Sequence, residues 1–172
     1  AAFNWQEISF GVGCPANRTI CNVGNSLMFL NMEGIWVFNG SEPVCISTEY
    51  NELFENINSN WVQNACAVYL KNEDAYVVSF PINGSSVNNK TLAIYKSGKC
   101  AIWEGFEPSC YSEADIDGQH YYFMGDNYSH INHFNIGVVD GLGVNLSATL
   151  NTTTTQGTNT IIVARGGGTL GE

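Results

Sequence analysis

The chain has 172 residues, 44% of them hydrophobic, enough for one ordinary domain with a real core. Its formal charge is −10, from 6 basic and 16 acidic residues. That argues against general nucleic-acid binding, which needs clustered Lys and Arg to neutralise phosphates, and fits either solubility or a conduit that nucleic acid passes without sticking. No run approaches the roughly 20 apolar residues of a membrane helix. The opening stretch, 1–7, is polar and aromatic rather than signal-like. The first residue is not Met, so a processed chain or an excerpt of a longer one is expected, the excerpt in preference.

A strand is expected over 3–10, then a Gly/Pro/Asn loop over 11–17 and a short strand over 19–23. The stretch 22–47 reads as three strands. Leu27, Phe29 and Asn31 alternate with Ser26, Met28 and Leu30, a turn follows at Met32-Glu33-Gly34, Ile35-Trp36-Val37-Phe38 returns, and Val44-Cys45-Ile46 closes after a second turn. The period then changes. Tyr50, Leu53, Phe54 and Ile57 follow i, i+3, i+4, i+7, one face of a helix over about 48–58, with Ser47 or Thr48 as its cap.

Strands resume over 65–70 and 75–80, the second stopping at Pro81. A polar, mobile loop is expected over 83–90, followed by strands over 91–95 and 99–104. Residues 110–116 and 119–125 form a hairpin across Asp117-Gly118, and 130–136 adds a third strand. A further strand over 144–150 is expected to pair next. From 151 to 172 the chain turns Thr- and Gly-rich and reads as a tail or linker with one strand, Ile161-Ile162-Val163-Ala164, suited to pairing with a neighbour.

Three segments end in the same kind of third strand: Ile35-Trp36-Val37-Phe38, Leu92-Ala93-Ile94-Tyr95 and Ile131-Asn132-His133-Phe134. The spacing between Phe38, Tyr95 and Phe134 averages about 48 residues, in the range of β-propeller blades built of four short strands. The fold class is therefore all-β: propeller-like four-stranded antiparallel meanders over 1–150, about three blades, with one short connecting helix. A closed propeller holds more blades than this, so further chain or other subunits would complete the ring. A β-sandwich with a crossing helix is the alternative fold.

No catalytic, cofactor-binding or metal residues are assigned. His130 and His133 form HxxH, but on a strand an offset of three puts them on opposite faces, and His120 lies one strand away. Asp115 and Asp117-Gly118 lack the later ligands of a Ca²⁺ loop and read as a plain turn. Glu33, Glu42, Glu49, Glu52 and Glu55 lie on turns and a solvated helix face, a poor setting for paired catalytic carboxylates. Gly166-Gly167-Gly168 lacks the Lys and helix of a phosphate loop. Seven Asn-x-Ser/Thr sequons, at Asn17, Asn39, Asn83, Asn89, Asn127, Asn145 and Asn151, read as chance in an Asn- and Thr-rich β protein. Trp5, Trp36, Trp61 and Trp103 read as blade core rather than a carbohydrate-stacking surface. Cys14, Cys21, Cys45, Cys66, Cys100 and Cys110 include no CxxC pair and read as buried free thiols, with a Cys14–Cys21 bridge left open.

Residues 19–137 resemble the propeller regions of bacteriophage tail and neck proteins, in particular the nozzle and DNA-stabilising tail proteins of short-tailed phages. The resemblance lies in Gly34-Ile35-Trp36-Val37-Phe38-Asn39-Gly40, in the step Ile46-Ser47 into a helix, and in Ala65-Cys66-Ala67-Val68-Tyr69. It extends to Gly125-Asp126-Asn127-Tyr128-Ser129-His130-Ile131-Asn132-His133-Phe134, where Ser129 stands in place of a preferred Gly. The chain is far shorter than those proteins and richer in Cys. The resemblance implies a non-catalytic structural virion protein, assembled in the host cytoplasm into a ring-shaped, hexameric tail or neck part that retains and delivers the genome. It would contact copies of itself, other tail or neck proteins and a host surface, with no cofactor, no sequence-specific nucleic-acid binding and no membrane segment. The alternative function is a carbohydrate-binding propeller module or adhesin that recognises a cell-surface glycan.

Overall fold

The computed structural model describes residues 11–103, 105, 107–134, 147–150 and 159–162. The strand expected over 3–10 lies outside the described residues. Two four-stranded meanders and a three-stranded one follow each other along the chain, every pair antiparallel. The first sheet holds β1 (Cys21–Val23), β2 (Ser26–Asn31), β3 (Gly34–Phe38) and β4 (Val44–Cys45). The second holds β5 (Cys66–Leu70), β6 (Ala75–Phe80), β7 (Lys90–Tyr95) and β8 (Cys100–Trp103). The third holds β9 (Pro108–Ile116), β10 (Gln119–Asp126) and β11 (Ile131–Phe134). The three repeated segments fall on β3, β7 and β11, the third strand of each sheet. A further hairpin pairs β12 (Ser147–Leu150) with β13 (Asn159–Ile162), so the strand expected in the tail finds its partner within the chain.

Period-two alternation explains how the sheets stack. In β6, Tyr76, Val78 and Phe80 point one way and Ala75 and Val77 the other, and all six of its residues are buried. The first set meets Met28, Leu30 and Ile35 of the first sheet, together with Leu92 and Ile94. The second set, with Val68, Leu70, Ala93 and Trp103, meets Tyr122 and Met124 of the third. The second sheet is thus covered on both faces, and the stack has two hydrophobic layers rather than one. Its first strands lie close together, since β5 touches both β1 and β9, whereas β4 and β8 make no contact of that extent.

Three local expectations change. Thr19 lies in a 3-10 turn, Asn17–Thr19, and not in a strand. Its hydroxyl donates to Ala16 O at 2.7 Å and accepts Leu30 N–H at 3.1 Å, while its carbonyl accepts the buried Tyr76 hydroxyl at 2.7 Å, so no ladder position remains for it. The helix over 48–58 reduces to a 3-10 turn, Thr48–Tyr50, and a five-residue helix α1 (Asn51–Glu55). Phe54 is buried as its spacing requires and stacks on Phe80 at 5.6 Å, but Ile57 has left the helix to bridge Ile82. Ser47 caps nothing, because its hydroxyl accepts Ile35 N–H at 2.8 Å. The segment 83–90 is not a loose loop. Asn58 donates to Ser85 O at 2.8 Å, Asn89 Oδ1 accepts Ile82 N–H at 2.9 Å, and Asn88 is 2% exposed. Asn88 and Asn89 spend their side chains on backbone groups, while Asn83 and Ser86 face water.

Gly34 opens β3 at φ +149°, and a Cβ there would stand 2.5 Å from Ser47 Oγ and 3.1 Å from Cys45 Sγ. Gly34→Ala combines a strained φ with overpacking against the hydroxyl that holds Ile35. It is expected to cost about 2–4 kcal/mol, read as a lowered urea midpoint at unchanged slope. Phe80→Ala empties the contact with Phe54 in the first core layer and is expected to cost about 3–5 kcal/mol by the same measurement.

Candidate functional site

Two polar clusters join the sheets. The first lies where the first strands converge. Arg18, next to the 3-10 turn's end, donates to Asn64 O at 2.9 Å and Ser109 O at 3.0 Å. Asn88 donates from its amide nitrogen to the same Asn64 O at 2.8 Å and to Pro108 O at 2.7 Å, with Cys66 Sγ at 3.6 Å. These bonds link the 62–64 turn, the 83–90 segment and the start of β9. Farther along the interface between the second and third sheets, the Ser79 hydroxyl lies 2.6 Å from Thr91 Oγ1 and 2.7 Å from the Tyr111 hydroxyl. Burial pushes the Tyr111 phenol far up, so it stays neutral.

The second cluster sits at the β9–β10 hairpin. Asp117 and Gly118 both have positive φ, +51° and +78°, the pattern of a two-residue type I′ turn. The resulting register puts His120 opposite Asp115 and Tyr122 opposite Glu113. His120 Nδ1 lies 2.6 Å from Asp115 Oδ1, and Nε2 lies 3.1 Å from Glu113 Oε2. Glu113 Oε1 in turn pairs with Lys71 Nζ at 3.0 Å. Lys71 belongs to the β5–β6 turn, and its backbone N–H donates to the Tyr122 hydroxyl at 2.7 Å. The His120 pKa is raised, first by the bond to Asp115; desolvation opposes this, and the bond to Glu113 adds to it. Burial pushes Glu113 up, but Lys71 and His120 outweigh it and the carboxyl ends below its usual range.

Chemically the arrangement is a chain of charge-assisted contacts between the two sheets. Both nitrogens of His120 face carboxylates, which favours imidazolium and leaves no lone pair for a substrate proton or a metal. His130 is separately engaged, with Nδ1 2.9 Å from Asp126 Oδ2. It lies in the turn before β11. Asp115 is committed to His120, and its turn is the plain hairpin expected. Glu33, Glu42, Glu49, Glu52 and Glu55 are all exposed, on separate turns and α1. Among the described residues no group of three or more His, Cys, Asp and Glu is placed to hold a metal ion. Among them, too, no helix is long and apolar enough to cross a membrane.

The aromatic candidates divide. Trp103 is 2% exposed in the core, while Trp61 is 44% exposed and Tyr128 68% exposed, on separate elements. Trp5 lies outside the described residues. Trp36 is half-buried on the outer face of the first sheet, where the register sets Phe29 beside it and Leu27 beside Phe38. The outer face of the third sheet carries Ala114 beside Tyr121 and Ser112 beside Phe123, with Ile116 and Ile131 on the same side, 48% and 72% exposed. Of these two outer faces, the third sheet's carries the exposed apolar side chains, whereas those of the first are half-buried and the Trp36 indole nitrogen is shielded. The sequons at Asn17, Asn39, Asn83 and Asn127 are exposed and Asn89 is half-buried, whereas Asn145 and Asn151, like Gly166-Gly167-Gly168, lie outside the described residues.

All six cysteines are free. The Cys14–Cys21 bridge left open is not formed, and the Cys14 thiol donates to Ala16 O at 3.0 Å. Only Cys66 is fully buried; Cys110 is exposed and the other four are half-buried, so the expectation of six buried thiols holds for one. Known proteins supply no shortcut to function: no protein family matches the chain, and no curated protein sequence does either.

Burial, aided by Glu113, raises the Cys21 thiol to about 12, and burial raises Cys66 to about 12 despite Arg18. Since the thiolate is the reactive form, both should resist a maleimide at pH 8 until the protein unfolds, while exposed Cys110 labels early. Peptide mapping of a timed labelling series reads this directly. Cys66 modified as fast as Cys110 would contradict the burial.

Proposed function

We propose that this chain is a structural, ring-building β module, three blades of a propeller-like stack in a bacteriophage tail or neck, without a catalytic role. The observation that carries this reading is the state of the sheet faces. The middle sheet is buried on both sides, whereas the third sheet exposes Ile116 and Ile131 on its outer face; Leu27, Phe29, Trp36 and Phe38 on the outer side of the first are half-buried. Such an exposed apolar sheet face invites a further sheet, from a copy of the chain or from a neighbouring tail protein. The close approach of β1, β5 and β9, without a matching approach of β4 and β8, supports a fan of blades about an inner axis. The repeated third strands and the resemblance over 19–137 support the phage assignment. The acidic balance, −10, suits a genome path that DNA leaves without sticking. Located in the virion, the module would retain and deliver the genome by shape and assembly rather than by chemistry.

Light scattering on the purified chain tests the reading. It is expected to give a discrete ring-sized oligomer, and Ile131→Glu is expected to weaken association at least tenfold, about 1.4 kcal/mol, with the circular dichroism unchanged. A monomer at every concentration, with Ile131→Glu indistinguishable from the parent, would reject self-assembly through these faces.

A further inference from the structure

The Lys71–Glu113–His120–Asp115 chain is more than a surface decoration, because it crosses between sheets. Lys71 stands on the turn between β5 and β6 of the second sheet, and the other three stand on the third. Side-chain exposure falls from 78% at Asp115 and 56% at Lys71 to 45% at Glu113 and 18% at His120, so the imidazole is the sheltered centre. It also packs edge-on against the Tyr122 ring at 4.8 Å, and the Tyr122 hydroxyl accepts the Lys71 amide proton. One ring thus touches both carboxylates and the aromatic residue that receives the second sheet's turn.

We propose that His120 is the switch of an acid-held clamp between the second and third sheets, engaged as imidazolium and loosened when it loses a proton. Imidazolium donates from both nitrogens, one to Asp115 and one to Glu113. Neutral imidazole has a single N–H, so one nitrogen lone pair must face a carboxylate oxygen at 2.6 or 3.1 Å, and that contact opens. The shorter bond, to Asp115, keeps the proton, and Glu113 turns away. The charge arithmetic agrees. With His120 protonated, Lys71 and His120 balance Glu113 and Asp115; without it the group carries one net negative charge on an already acidic chain. The remaining Lys71–Glu113 pair is an exposed ion pair, which holds little alone.

The groups facing His120 are Glu113 and Asp115 on β9, Tyr122 on its own strand and Lys71 from the second sheet; Glu73, in the same turn as Lys71, acts on Tyr122. The sign of the linkage follows. Because the folded His120 pKa is raised, its contribution is full below the unfolded value of about 6.5 and is lost as pH rises through the folded value. The Glu113 pKa is lowered, so its contribution is full above about 4.3 and is lost on acidification through its folded value. The clamp is tightest between those limits.

The test is NMR on the full ¹⁵N-labelled chain, following the two ring nitrogens of His120 and the exchange protection of the Lys71 amide. His120 should titrate above about 6.5, and Lys71 protection, corrected for intrinsic base-catalysed exchange, should fall about twofold to fivefold through that midpoint. Glu113→Gln should flatten the fall and lower the midpoint while leaving the hairpin register intact. A His120 midpoint at or below 6.5 would overturn the clamp. So would flat Lys71 protection in the parent, or an unchanged pH response in Glu113→Gln.

Discussion

Everything in this fold depends on the burial of β6 and β7 from both sides. A strand with one wet face alternates apolar and polar residues, whereas β6 is apolar at every position but Ser79, whose hydroxyl is taken up by Thr91 and Tyr111. Such a strand cannot stand at the surface of a two-layer sandwich. The first and third sheets are therefore required coverings, and each brings Met28, Leu30 and Ile35 or Tyr122 and Met124 to a separate layer.

The seams between sheets are kept in place by polar contacts of unusual reach. Arg18 and Asn88 share the Asn64 carbonyl and tie it to Ser109 and Pro108. These are bonds to backbone, which fix the offset of one sheet against the next where apolar packing alone would allow sliding. At the opposite end of the strands the carboxylate–histidine chain does the same with charge. Hydrophobic layers supply the attraction, and these two clusters supply the register.

Much of this was legible in the sequence, and the reasons are local. Ile35 to Phe38, Leu92 to Tyr95 and Ile131 to Phe134 each sit between turn residues, so their strand character and order could be read directly. Asp117-Gly118 fixes a two-residue turn, and counting outward from it already sets Asp115 opposite His120. The HxxH spacing of His130 and His133 is the more conspicuous signal along the chain, but the contact that forms runs across the hairpin, to Asp115 and Glu113. What was not legible depends on distant partners. Ser47 looked like a helix cap but serves Ile35, twelve residues earlier. The Asn-rich 83–90 segment looked free because its partners, Asn58, Asn64 and Pro108, are far away in sequence. Thr19 likewise gave no sign that Tyr76 would claim its carbonyl.

The meander order of the sheets bears on how the chain comes off the ribosome. Each sheet pairs only strands that are consecutive in sequence, so its hydrogen bonds close over short loops, a topology that favours rapid pairing. Yet the first sheet, complete by Cys45, waits for the sheet that covers Leu30 and Ile35 until β6 and β7 have been made, some fifty residues later. During that interval the nascent chain carries a finished ladder with a bare greasy side. The short α1 helix, which places Phe54 in the same layer immediately after the first sheet, provides its earliest shelter.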